Sequence, residues 1–187
     1  MELDELPRDS EAEPGAFSLF RRRADLAKLL ENGFLIFRSD AHAGVVDRNL
    51  RNTVAHLGAY VRFEGALDMR VRVLAAMTVA REFDATYVWG AQTGSARKQG
   101  VPESTISAIR EKHSRGLPAE DAQIVDFTRD LLRKHRVDDA TATAMRKRFG
   151  DDQFIQLTGA IGYYSLLAMT VNACELEAAE GAEVLKI

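Results

Sequence analysis

Apolar residues recur along most of this chain at helical spacing. In "FSLFRRRADLAKLLENG", Leu19, Leu26, Leu29 and Leu30 share one stripe, and Gly33 follows at a position suited to a left-handed helix end. The stretch "AGVVDRNLRNTVAHLGAYVRF" repeats the pattern with Val46, Leu50, Val54, Leu57 and Val61. "LDMRVRVLAAMTVARE" is built of helix formers and is nearly apolar on all sides after Arg72, which predicts a central helix buried all round. Asp84 is expected to cap a following helix that runs to Gly100, with Ser104 as the cap candidate for the next. Further helices are expected over 103–114, 119–135, 139–149 and 151–178, the last two separated by "GDD". Only "FLIF" at 34–37 reads as a short β-like run, so the predicted class is all-α. Residues 1–15 are acidic and interrupted by Pro7 and Pro14, and read as a loose tail before a single domain over 16–187.

Composition narrows the function. A formal net charge of -3, with Lys and Arg scattered among acids, gives no basic footprint for nucleic acid. The start of the chain is the reverse of a signal peptide's basic, then apolar, order. "LTGAIGYYSLLAMTVNACEL" approaches the length of a membrane span, but its Thr, Tyr, Ser and Asn fit a buried core helix, so no membrane association is expected. The one cysteine, Cys174, cannot pair within the chain, and a reducing cytoplasm is the expected location. His42, His113 and His135 have no metal-ligand spacing, and "GAQTGSARKQG" lacks the preceding strand and P-loop spacing, so neither a metal nor a nucleotide cofactor is expected.

The stretch "REFDATYVWGAQTGSARKQG" at 81–100 carries an aromatic pair, small residues that would let a substrate approach, and an amide at Gln92. With "LGAYVRFEGALDMRVRVLAAMTVA" before it and "VDFTRDLLRKHRVDDATATAMRKRF" and "GAIGYYSLLAMTVNA" after it, it resembles the carboxymuconolactone decarboxylase family of the alkylhydroperoxidase D-like superfamily. The resemblance covers about residues 34–180. It implies an alkylhydroperoxidase D-like helical bundle around a central helical hairpin, assembled into trimers or hexamers.

The departures from that family bear directly on chemistry. Peroxidase-type members carry Cys-x-x-Cys and a following His, positions that fall here on Ala85, Val88 and Gln92. Neither Ala85 nor Val88 is a nucleophile, so a thiol peroxidase is excluded. Decarboxylase-type members carry Tyr-Glu-Trp-x-x-His and an earlier Glu. This chain has Tyr87-Val88-Trp89-Gly90-Ala91-Gln92, with Val73 at the earlier position. Val does not ionise and an amide does not titrate near neutrality, so none of the three works as a general acid or base.

Six residues are candidates for the site. Gln92 can hold a substrate oxygen, or be a satisfied amide at a subunit contact. His56 is the candidate replacement proton carrier, against the reading of a core or interface histidine. Arg81 can bind a substrate carboxylate or phenolate, or pair with Glu82, Asp84 or helix-end carbonyls. Tyr87 and Trp89 cannot share a helix face, and Trp89, three residues from Gln92, is the nearer of the two in angle. Tyr164 can reach the same cavity from the last helix as a phenol donor, or serve packing. The expected function is a cofactor-independent, non-redox lyase or isomerase (decarboxylation, dehydration or enolisation) acting on a small oxygenated, aromatic or lactone-like metabolite. The alternative is a catalytically silent ligand-binding or structural oligomer of the same family.

Overall fold

In the computed structural model, residues 48–178 and 180–186 are described, with side chains from Thr53 onward. The expected tail over 1–15, the helix ending at Gly33, the "FLIF" run, His42 and Val46 lie outside them. The described residues hold six α-helices and no strand, as the apolar periodicity requires: α1 Arg48–Ala59, α2 Met69–Glu82, α3 Thr86–Lys98, α4 Glu103–Arg110, α5 Ala119–Lys134 and α6 Asp139–Ala173.

Helix α2 is the axis of the packing. The Asp68 carboxylate accepts from the amides of Arg70 (2.9 Å) and Val71 (3.2 Å), satisfying two donors that the first turn leaves free. All ten residues from Val71 to Ala80 are buried, and α3, α5 and α6 pack around them. Two polar side chains are tolerated there because each is bonded: Thr78 returns its hydroxyl to the Leu74 carbonyl, and Arg72 donates to backbone oxygens. At the margin of the core Arg70 forks onto both oxygens of the buried Asp121, tying α2 to α5.

Helix ends explain where the expected and observed elements part. Asp84 does not cap α3; it lies at φ 51 in the closing turn of α2, where Asp84 N–H reaches the Arg81 carbonyl and Ala85 N–H that of Ala80. The residue preceding α3 is Ala85, which has no side-chain acceptor. Ser104 is likewise inside α4, whose cap position is Pro102. Helix α4 stops at Arg110, short of 114, because Lys112 turns left-handed at φ 59, and α6 stops at Ala173, short of 178, ahead of Glu175 at φ 51. Gly100, at φ 70, ends α3 as expected.

Helix α6 is two helical stretches joined at Gly150, whose φ 74 and ψ 168 are accessible essentially to glycine alone. The Gly150→Ala protein is expected to lose about 1–3 kcal/mol of stability, the usual strain at such a backbone, although nothing would touch the added methyl. Urea unfolding measures this, and an unchanged midpoint would show that the joint relaxes. By length and composition α6 is also apolar enough to cross a membrane; 39% of its most apolar stretch is buried against the rest of the chain.

Candidate functional site

The segment between α1 and α2 positions the first part of the site. Residues Tyr60–Glu64 form a π-helical turn closed by a bond from Gly65 N–H to the Tyr60 carbonyl (2.9 Å). Arg72 clamps this turn from α2, donating to the carbonyl oxygens of Val61 (2.9 Å) and Arg62. The clamp fixes Arg62, whose guanidinium donates to the Tyr163 hydroxyl (2.6 Å) and lies 5.7 Å from the centre of that ring. Gly58 permits the approach, since a methyl there would collide with the Tyr163 hydroxyl.

Arg62 stands at one wall of a small, half-open cleft between α3, α6 and this turn. Helix α3 supplies Tyr87, Val88, Ala91 and Gln92, which at 100° per residue fall on one strip. Helix α6 adds Tyr164, Leu167 and Val171 from the buried side of its second stretch. Burial raises the Tyr164 phenol above its usual value against the opposing pull of the Arg72 and Arg62 cations, so near neutral pH it is a protonated donor. The cleft therefore offers a cation, an amide and phenol groups on a wall that is otherwise aliphatic. Among the described residues, none of its lining side chains is a carboxylate or an imidazole.

Three of the six candidate residues meet here: Gln92, Tyr87 and Tyr164. The other three do not. Trp89 is fully buried on a different face of α3, where the Arg110 guanidinium of α4 lies 5.4 Å from its ring centre. The residue that shares the cleft with Gln92 is thus Tyr87, because the lining strip is centred between positions 87 and 92 and position 89 falls well outside it. Arg81 is not among the lining residues and is engaged elsewhere, with Asp84 and the Arg110 carbonyl (2.5 Å), the structural pairing that was its alternative reading. His56 is exposed on α1 and is not among the lining residues.

Gly90 does not open a path for substrate either. The C-terminal segment passes over it, with the Glu183 carbonyl 3.1 Å and the Ala182 side chain 3.0 Å from where a Cβ would stand. That segment is held by Glu183, which bridges Arg97 (2.7 Å) and Arg110. Val73 lies in the α2 core, and Val88 is on the cleft wall. Arg62 is the cleft residue that motif spacing does not reveal; its one signal in the sequence is a lone cation inside the otherwise apolar run "LGAYVRF". No family model, no curated protein and no solved structure matches this chain.

Proposed function

We propose that the chain is a cofactor-independent, non-redox lyase or isomerase of the carboxymuconolactone decarboxylase type, in an alkylhydroperoxidase D-like bundle. Its substrate is a small oxygenated, aromatic or lactone-like metabolite held in the cleft between α3 and α6. The observation that carries this reading is the meeting of Gln92, Tyr164 and Arg62 in one cleft with aliphatic walls. Fixed donors in a poorly solvated site stabilise negative charge as it develops on a carbonyl oxygen. In a decarboxylation the C–C bond to the carboxylate breaks, its electron pair enters the neighbouring carbonyl to give an enolate and carbon dioxide, and a proton from water or the Tyr164 phenol then reaches carbon. Such a step needs oxygen-binding donors more than a protein base. A second reading is supported by Val88 on the cleft wall, where the resembled family has a carboxylate: a ligand-binding or structural oligomer without turnover.

One experiment separates the two. A panel of β-keto acids, enol lactones and enolisable aromatic ketones is incubated with the protein in deuterated water and followed by proton NMR. The enzyme reading expects one compound to lose carbon dioxide or exchange a C–H, at a rate that scales with protein. Compounds that bind yet stay unchanged would decide for the silent reading.

For α6 we favour a core helix with one face given to assembly over a membrane span. Ile155, Gly159, Gly162, Leu166, Met169 and Ala173 are all exposed and follow one another at alternating spacings of four and three. Nothing lies within 4 Å of where a methyl would stand on either glycine. Two such stripes, set antiparallel about a two-fold axis, place Ile155 opposite Ala173, Met169 opposite Gly159 and Leu166 opposite Gly162. Each large residue then meets a small one, the self-complementarity an isologous contact needs. This contact by itself builds a dimer, the unit from which a hexamer but not a lone trimer can be assembled. Light scattering is expected to show such an oligomer at micromolar concentration and a smaller species for Leu166→Glu; a monomeric wild type would overturn the assignment.

A further inference from the structure

The arginines of this protein differ sharply in how their charge is balanced. Arg70, Arg81, Arg97, Arg110, Arg129 and Arg133 each form an ion pair with an Asp or Glu. Arg72 and Arg62 pair with no carboxylate among the described residues. Arg72 is buried in the core and donates to the carbonyls of Val61 and Arg62, whereas Arg62, half-buried at the cleft wall, has the neutral phenol of Tyr163 as its partner. Its Nε is buried without a hydrogen-bond partner. Contact with the Tyr163 ring accounts for where the guanidinium sits but brings it no anionic partner. A partly desolvated cation with spare donors is costly unless an anion comes to it, and the aliphatic side chains of Val88, Leu167 and Val171 line the same half-open cleft.

We propose that Arg62 is a ligand-binding residue, and that the cleft takes a small organic anion whose carboxylate pairs with the Arg62 guanidinium while its apolar body lies against the aliphatic wall. Gln92 and Tyr164 are the donors left for a second oxygen of the same molecule. Arg72 acts as a positioning residue, since its bonds to the carbonyls of residues 61 and 62 hold the turn that presents Arg62. The inference rests on the reading that the cleft is a ligand site, but not on whether chemistry follows binding.

The test uses the full chain with two probes of the same shape, benzoate and the neutral benzamide, titrated calorimetrically and located by amide shifts in NMR. Wild type is expected to bind benzoate at least about tenfold more tightly than benzamide, the advantage of a charge-assisted bond over a neutral one. The preference should shrink as salt rises, with shifts at residues 87–92 and 164–171. Arg62→Gln should remove the preference, whereas Arg62→Lys should retain part of it. Equal binding of both probes at those residues would overturn the role of Arg62 and leave the cleft as a ligand site. Binding of neither at millimolar concentration would overturn both. Should Arg62→Gln not fold, the preference of wild type and its salt dependence decide the matter.

Discussion

Replacing Gln92 with Ala is expected to lower turnover of the cleft's substrate about a hundredfold, the usual loss when one donor to a developing oxyanion is removed. Gln92 is half-buried on the strip of α3 that lines the cleft, and its amide both donates and accepts without carrying charge. The loss should fall on kcat more than on KM, because the bond strengthens as charge reaches oxygen. Gln92→His is the sharper version of the test. It restores the residue type of the resembled family, but among the described residues the lining has no carboxylate to orient the ring or balance an imidazolium, so no rescue is expected. The measurement is initial rate against pH for wild type and both variants, with the compound that reacts in the exchange screen. Full activity in Gln92→Ala would leave Tyr164 and Arg62 as the oxygen-binding groups.

The second large effect is on folding. Trp89→Ala is expected to cost about 3–5 kcal/mol, since the indole is fully buried and its removal leaves a cavity that the surrounding helices close only in part. For a chain of this length that is a drop in Tm of roughly 10 °C. Trp89→Phe should cost much less: it keeps an aromatic face near Arg110 and removes an indole N–H that is buried without a partner. Neither change should alter the affinity of the folded protein for a cleft ligand. Thermal unfolding and ligand titration of the two variants settle the point, and a binding defect in a fully folded Trp89→Phe protein would return Trp89 to the site. Tyr87→Phe, on the cleft side of the same helix, is the companion change in which binding is the readout.

The order of the helices was legible in the sequence, with the two expected over 139–149 and 151–178 found as the two stretches of α6, because a 3.6-residue apolar period survives any arrangement of neighbours. The unbroken burial of α2 was legible too, since "VLAAMTVA" has no polar face to give to water. Helix ends were legible where glycine marks them, as at Gly100 and Gly150. They were not where Asp84, Lys112 and Glu175 adopt the left-handed turn, because ordinary side chains accept that conformation only when surrounding contacts hold it. At Asp84 those contacts are Arg81 and Lys112, which no local pattern announces.

For the site, the chain on its own placed Gln92, Tyr87 and Tyr164 among the candidates, through residue type and the spacing of the resembled motif. Only the tertiary structure decided which of them share a cleft. Helix α3 is covered by α2, by α4 at Trp89, by the C-terminal segment at Gly90, and by α6 along the strip that carries Tyr87 and Gln92. A helix enclosed in this way has no single polar face from which the direction of its functional side could be read. Arg62 was hidden for a related reason. Its place at the cleft depends on a π-helical turn held by Arg72 from another helix, and a cation's missing counter-charge becomes visible only when every neighbour in space is known.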